Sequence, residues 1–381
     1  MALGAGTFQY LRGVPQTHVT VGVQASRVLG DKATVTMPAN GASIVAVDGL
    51  GTLATAGNTT AKPIASVTKM MTAYVILKSH PLSPGEQGPM LTITARDNAR
   101  YFQIIANDES ALPVYAGLGL TRYQLLQGAL IASANNFAEI LAAWDAGSVT
   151  AFVTKMNAEA KALGMNDTVY VDASGISAGS ASTPADQLIL ARAAMTNPVF
   201  REIVGTKTTT LPGIGPISNV NELLGQDGIV GIKTGFTEAA GGNLAFAADR
   251  IVNGKPVEII GAVFGQATRP IALAETRRLV TTLGQTLKAA RVMSTGQVVA
   301  TVDADWSDPI EVYADGDADV VFWPGMTLEM TVSLDPPEAP MAAGDQVGTL
   351  TVRLGEQEHV LPLKLTRDLK SPSMLWRLFH L

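Results

Sequence analysis

Ala65-Ser66-Val67-Thr68-Lys69-Met70-Met71-Thr72-Ala73 is the stretch on which the reading of this chain turns. Ser66 and Lys69 are three apart, which puts both on one face of a helix and brings the amine beside the hydroxyl. The apolar run from Met70 to Leu77 marks that helix as buried. A serine hydroxyl is a weak nucleophile at neutral pH and needs a base. A lysine becomes that base when burial or a second cation lowers its pKa. Lys62-Pro63-Ile64-Ala65 immediately precede Ser66, so the serine is expected at a helix N-terminus, where unpaired backbone N–H groups help to hold an oxyanion.

Most Ser-x-x-Lys pairs are ordinary surface or capping residues, so this one gains weight only from two further motifs later in the chain. Ser133-Ala134-Asn135 comes after the apolar run Leu125 to Ala132, and Lys233-Thr234-Gly235 after the strand-like Gly228-Ile229-Val230-Gly231-Ile232. Each residue type has a chemical task. Ser133 can relay a proton between Lys69, Lys233 and a leaving nitrogen, and the Asn135 amide can hold a substrate carbonyl. Lys233 is read as a fixed positive charge that keeps the Lys69 amine neutral and attracts an anionic substrate. Thr234 can hydrogen-bond a carboxylate. Gly235 leaves the strand edge clear, and the N–H of Phe236 would complete an oxyanion hole with that of Ser66. The candidate catalytic set is therefore Ser66, Lys69, Ser133, Asn135 and Lys233, and the candidate substrate-binding set Thr234, Gly235, Phe236 and Thr237.

The order Ser-x-x-Lys, Ser-x-Asn, Lys-Thr-Gly resembles that of the penicillin-binding and β-lactamase acyl-serine enzymes. Within them the chain is similar to the low-molecular-mass penicillin-binding proteins that are serine D-alanyl-D-alanine carboxypeptidases of bacterial cell-wall metabolism. Ala65 to Ala73 looks like that family's nucleophile helix, and Gln127 to Leu141 like its second motif. Ala162-Leu-Gly-Met-Asn-Asp-Thr168, Asp172-Ala-Ser-Gly-Ile176 and Ser182-Thr-Pro184 match its intervening segment. The spacings, 133 − 66 = 67 and 233 − 133 = 100, are near the family's own. The resemblance is strong over residues 40 to 290 and weaker to about 370.

The resemblance implies an α/β (α+β) acyl-serine transferase/β-lactamase-like domain, a central antiparallel sheet flanked by helices, followed by a small all-β domain. It further implies cleavage of the terminal D-Ala from peptidoglycan stem peptides through a Ser66 acyl-enzyme, acylation by β-lactam antibiotics as covalent inhibitors, and no cofactor. The expected location is extracytoplasmic, in the periplasm or on the outer face of the cell membrane.

Some positions depart from the family pattern. Where the family usually carries an Arg two residues after Ser-Thr to pair with the substrate's terminal carboxylate, this chain has Ala185. Phe236 stands where relatives often have His, and Arg269 and Lys207 are the alternative carboxylate partners. These departures motivate a catalytically weak, substrate-binding relative as one alternative. A β-lactamase is the other, although no Glu between the second and third motifs (Glu139, Glu159, Glu202, Glu222) has the Asn four residues on that class A deacylation uses.

Composition agrees without deciding. With 381 residues and 47% hydrophobic content the chain can fill a large and a small core. It has no Cys, which removes disulfides and thiolate chemistry. His18, His80, His359 and His380 have no metal-ligand spacing, so no metal site is expected. A net charge of −6 with dispersed Lys and Arg gives no nucleic-acid footprint. Asp97, Asp108 and Glu109 read as solvated loop acids.

Along the chain, residues 1–39 read as an N-terminal segment, 40–292 as the catalytic domain, 293–368 as a small β-rich domain and 369–381 as a short apolar tail. Met1 to Gln9 shows no signal-peptide pattern. Ser43 to Val47 and Leu53 to Ala56 read as a hairpin, and helical patterns continue from there to about 205. Leu244 to Ala248 and Val257 to Phe264 read as central strands beside Lys233 to Gly235, with Ala272 to Ala290 as the closing helix. From about 297, six alternating runs beginning at Val298, Ile310, Val320, Leu328, Val347 and Val360 are separated by turn residues. Trp306, Trp323 and Trp376 read as core or surface anchors, and the tail with Met374, Leu375, Trp376, Leu378 and Phe379 packs on its own domain or touches a membrane surface.

Overall fold

The computed structural model describes residues 16 to 380. The reading of Met1 to Gln9 lies outside the described residues. The chain divides into two compact units: residues Thr34–Gln285, and a second made of the segment ending at Ala33 together with Thr286 onward.

The first unit is built on a five-stranded, wholly antiparallel sheet in the order Ile229–Thr237, Gly241–Val252, Lys255–Gln266, Ala42–Val47, Gly51–Gly57. The expected hairpin and central strands are present, each extended by a few residues. Asn253-Gly254 closes the long central hairpin with both residues in the left-handed region, φ 50° and 82°. That is the geometry a two-residue turn between right-twisted strands demands and that Asn-Gly supplies at low cost. The central strands are apolar on both faces because helices cover them. Val45, Ala247, Ala262 and Val263 are fully buried.

Helix Lys69–Ser79 runs through the middle of the core, and Met70, Met71, Ala73, Val75, Ile76 and Leu77 are all buried. A helix buried all round has no polar stripe, as the run Met70 to Leu77 shows. The helices around it begin where the sequence supplies caps. Thr94 with Asp97 and Thr121 with Gln124 form reciprocal capping boxes for Ala95–Ala106 and Arg122–Leu130. Ser148, Thr183 and Asn197 cap Val149–Ala162, Pro184–Met195 and Pro198–Gly205, the last two with Pro in the first turn. The closing helix differs from expectation at its end: it spans Arg269–Thr286, and Lys288–Met293 is a strand paired with Ala318–Phe322. Backbone pairing to a partner some thirty residues on overrides the helical pattern there.

The second unit holds a seven-stranded antiparallel sheet in the order His18–Val21, Val298–Ala304, Ser307–Ala314, Gln357–Leu365, Gln346–Leu354, Met326–Leu334, Ser26–Leu29. All six β runs read from the sequence are strands. His18–Val21 and Ser26–Leu29, which carry no strand pattern of their own within the N-terminal segment, form the two edges. Helix Met374–His380 ends the described chain with Met374, Leu375 and Phe379 exposed. Trp376 meets Trp306 edge to face at 5.8 Å.

Candidate active site

The site forms where three pieces of backbone meet: the turn into the buried helix, the link between helices Arg122–Leu130 and Asn135–Ala146, and the edge strand Ile229–Thr237. Ser66 sits in a 3-10 turn, Ala65–Thr68, that leads into the helix beginning at Lys69. The turn starts from Ala65 at φ 48°, a left-handed conformation that non-glycine residues adopt only under constraint from their surroundings. Ser133 has the same kind of backbone, φ 61°, in the link between its two helices. Both motif serines thus sit at or next to a conformation that turns them out of regular structure. Asn135 N–H donates to Ser110 O at 2.8 Å and holds the start of the second helix.

Lys69 is fully buried and its Nζ has three neighbours: Ser66 Oγ at 2.8 Å, Asn135 Oδ1 at 2.6 Å and the Ser174 carbonyl at 2.7 Å. Burial pushes its pKa well below that of a free lysine, the Lys233 charge pushes it further, and Asp172, Glu139 and Glu109 pull partly back. A neutral amine has two N–H groups and one lone pair. In that form Asn135 Oδ1 and Ser174 O, which can only accept, would take both N–H groups and leave the lone pair for the Ser66 hydroxyl to donate into. That is the arrangement a general base needs.

Lys233 is buried too, with Nζ 3.1 Å from both Ser133 Oγ and Thr234 O. Its pKa is lowered to about 7, chiefly by burial and then by Arg269. The charge read from the sequence as fixed therefore titrates near neutrality. Thr234 is buried, Thr237 half-buried, and Phe236 has 49% of its surface exposed. Gly235 lies tight against the nucleophile turn: a Cβ there would fall 2.7 Å from Ile64 O and 3.1 Å from the backbone N of Ser66 and of Val67. The sequence residues Ser66, Lys69, Ser133, Asn135, Lys233 and Gly235 are thus brought together. Ser66 is only half-buried, so its hydroxyl remains reachable.

Two contributors go beyond the motif residues, one of them new and one named from the sequence only as an alternative carboxylate partner. One is Ser174 O, a backbone atom. It is aimed by Asp172, whose carboxylate accepts from Gly175 N and Ser177 N at 2.7 Å and from Ser180 Oγ at 2.9 Å, folding the Gly- and Ser-rich loop into a fixed turn. The other is Arg269. Its charge reaches Lys233, and its Nε is buried without a hydrogen-bond partner among the described residues. Lys207, the other carboxylate candidate, lies against Gly225 instead. Ala185 is exposed at the start of helix Pro184–Met195.

A sheet of this topology carrying a serine, two buried lysines and a Ser-x-Asn turn defines an acyl-serine transferase fold. The chain belongs to the D-alanyl-D-alanine carboxypeptidase family, whose sequence profile matches residues 31–268. It is 32% identical over 210 residues to the D-alanyl-D-alanine endopeptidase of Escherichia coli (strain K12), a match covering 52% of this chain and 63% of that protein. The chain thus spans under two thirds of that relative's length. It is also 32% identical over 295 residues to the D-alanyl-D-alanine carboxypeptidase of Streptomyces sp. (strain K15), covering 71% of this chain and 97% of the relative. Among solved structures, penicillin binding protein 5 from Haemophilus influenzae superposes with a TM-score of 0.61 at 21% identity, over 92% of this chain and 100% of the other, a likeness of fold.

Proposed function

We propose that this chain removes the terminal D-Ala from peptidoglycan stem peptides through a Ser66 acyl-enzyme and is acylated at the same serine by β-lactams. The observation that carries the reading is the buried Lys69 Nζ, 2.8 Å from Ser66 Oγ and within hydrogen-bond distance of Asn135 Oδ1 and Ser174 O. In the proposed sequence, Lys69 takes the Ser66 proton as Oγ attacks the carbonyl of the penultimate D-Ala. The Ser66 and Phe236 N–H groups hold the oxyanion. Collapse breaks the C–N bond, and the proton passes from Lys69 through Ser133 to the leaving D-Ala nitrogen. Water then attacks the ester, and Ser66 is released with its proton restored.

The substrate's terminal carboxylate is read as binding to Thr234 and Lys233, with Thr237 beside them on the strand. Arg269 takes the part that Ala185 cannot, a reading supported by its unpartnered Nε and its field at Lys233. Asn135 and the strand at Gly235 hold the peptide backbone. We place the catalysis in residues 40–292, with 293–368 as an accessory β domain, in a protein working outside the cytoplasm. Among the described residues no helix is long and apolar enough to cross a membrane. Met374, Leu375 and Phe379 support contact of the tail helix with a membrane surface.

The test is D-alanine release from an acyl-D-Ala-D-Ala peptide at neutral pH by the chain and by Ser66→Ala. Release that vanishes in the variant is expected; release that persists would sink the reading. A long-lived penicilloyl adduct separates this function from a β-lactamase, which would turn the adduct over rapidly.

A further inference from the structure

A cleft of about 660 Å³ opens among helices Ala95–Ala106, Asn135–Ala146 and the start of Val149–Ala162, and the acylation and hydrolysis at Ser66 make no use of it. Its lining includes four charged side chains: Arg96, Arg100, Asp97 and Glu139. Their partners settle what the cleft presents. Asp97 is occupied by the capping box, accepting from Thr94 N–H at 2.9 Å and Thr94 Oγ1 at 2.6 Å. Glu139 accepts both arms of Arg100, Nε and Nη2 each at 2.8 Å. Both carboxylates are therefore satisfied within the protein. Arg96 is exposed and makes no ion pair or side-chain hydrogen bond among the described residues. The unmatched charge in the cleft is a guanidinium, with the Gln103 amide on the same wall as a further donor.

Position ties the cleft to the reactive serine. Asn136 and Glu139 line it, and they come after Asn135, whose Oδ1 is 2.6 Å from Lys69 Nζ, on one helix. At about 1.5 Å per residue, Glu139 lies roughly 6 Å along the helix axis from Asn135, and the lining residues Ala143 and Gly147 roughly 12 and 18 Å. An extended peptide advances about 3.3 to 3.6 Å per residue. Three to five residues of extended acyl chain, about 10 to 18 Å, match the axial span from Asn135 to the lining residues between Glu139 and Gly147.

We propose that this cleft is a subsite for a carboxylate carried on the acyl side of the peptide substrate, about three to five residues before the scissile bond, with Arg96 as its main contact. An Arg fork suits a carboxylate better than any neutral group. The cleft thus sets a preference among stem peptides without taking part in bond cleavage. The inference rests on the peptidase reading for its substrate, but the cleft's anion preference can be measured without turnover.

The experiment compares two donors, N-acetyl-Ala-Ala-Ala-D-Ala-D-Ala and the same peptide with Glu in place of its first Ala, by D-alanine release from the wild-type chain and from Arg96→Glu. The wild type is expected to favour the acidic donor roughly fivefold in kcat/KM, the scale of one partly exposed charge pair, mainly through KM. In Arg96→Glu that ratio should fall to one or below, and Gln103→Glu should lower it in the same direction. A ratio near one in the wild type, or one that Arg96→Glu leaves unchanged, overturns the proposal. Free glutarate at millimolar concentration is the second arm. Competition against the acidic donor alone fits a substrate subsite, whereas an equal change for both donors shows a separate effector site and overturns the assignment to substrate.

If neither donor is cleaved, the peptidase reading fails first. The cleft is then judged by fluorescence anisotropy of the labelled acidic peptide on Ser66→Ala and on Ser66→Ala/Arg96→Glu. Weaker binding in the double variant supports it, and equal binding refutes it.

Discussion

Adding one methyl group at Gly235 should disable acylation while leaving the protein folded. The φ of Gly235 lies outside the left-handed region, so alanine meets no conformational penalty and the effect is steric alone. The new Cβ would stand 2.7 Å from Ile64 O, whereas a carbon–oxygen contact settles at about 3.3 Å or more. The strand and the nucleophile turn must therefore part by roughly 0.6 Å. No side-chain rotation relieves this, because the three nearest atoms, Ile64 O, Ser66 N and Val67 N, all belong to the backbone. Oxyanion-hole donors act at about 2.7 to 3.1 Å, and a displacement of that size carries one of them out of range. Losing one donor typically costs about 10² to 10³ in rate, so the second-order rate constant for acylation by a fluorescent penicillin should fall by about 10². Overpacking of this kind costs about 1 to 3 kcal/mol of stability, which a urea titration of the same samples would record. Acylation within about threefold of wild type, in a variant of unchanged fold, would refute the proposed contact between Gly235 and the oxyanion hole.

The two lysines lead to three further expected outcomes. The pKa of Lys233 near 7 means that the free enzyme loses this charge as pH rises through neutrality, so kcat/KM for an anionic substrate should decline above about pH 7. Lys233→Arg keeps its charge and should lose that descending limb, while a flat wild-type profile from pH 6 to 9 would contradict the assignment. The same group affects folding. Between about 7, its folded value, and 10.5, its ordinary one, the unfolded chain holds a proton that the folded chain lacks, so stability rises with pH across that window and the penalty is complete below it. Lys233→Met should therefore stabilise by up to about 5 kcal/mol at pH 6, with the gain fading by pH 10, as measured by denaturant unfolding at both pH values. A donor whose terminal carboxylate is methylated should lose acylation rate as well as affinity, which single-turnover kinetics can separate; a loss confined to KM would show that the carboxylate only anchors.

How much was legible in the sequence depends on whether a feature is carried by a side chain or by backbone and distance. Ser66, Lys69, Ser133, Asn135 and Lys233 could be singled out because the proposed chemistry requires those side chains at those spacings, and the structure brings all five together. Ser174 contributes only a carbonyl, which every residue has; its nearest signal is the Asp172-Ala-Ser-Gly175 turn that aims it. Arg269 lies at the start of a helix after the last sheet strand, and nothing local ties it to Lys233, 36 residues earlier (269 − 233). Most of the strands of the β unit were legible from alternation. His18–Val21 and Ser26–Leu29 were not, because short edge strands are mostly exposed and carry little apolar pattern. Their pairing is with Val298–Ala304 and Met326–Leu334, a relation of very long sequence separation. The cleft beside Asn136 was equally hidden: Asp97 reads as a solvated loop acid, whereas it caps a helix and leaves Arg96 as the charge in the cleft without an ion-pair partner among the described residues.

The two lysines are best understood as one electrostatic unit. Two ammonium groups in one buried site are mutually unfavourable, so a proton held firmly on one favours its absence on the other. In the substrate-free site both are depressed, Lys69 by burial and by Lys233, and Lys233 by burial and by Arg269. On the proposed function, a substrate carboxylate arriving beside Thr234 and Lys233 would supply the missing counter-charge and draw a proton onto Lys233. The field of that restored cation in turn holds the Lys69 amine neutral, with its lone pair toward Ser66. On that proposal, binding the substrate's terminal carboxylate and readying the base for its attack are the same event. The exchange of the family's usual Arg for Ala185 is tolerable on this account provided that Arg269 and Lys233 together still supply the charge that the carboxylate meets.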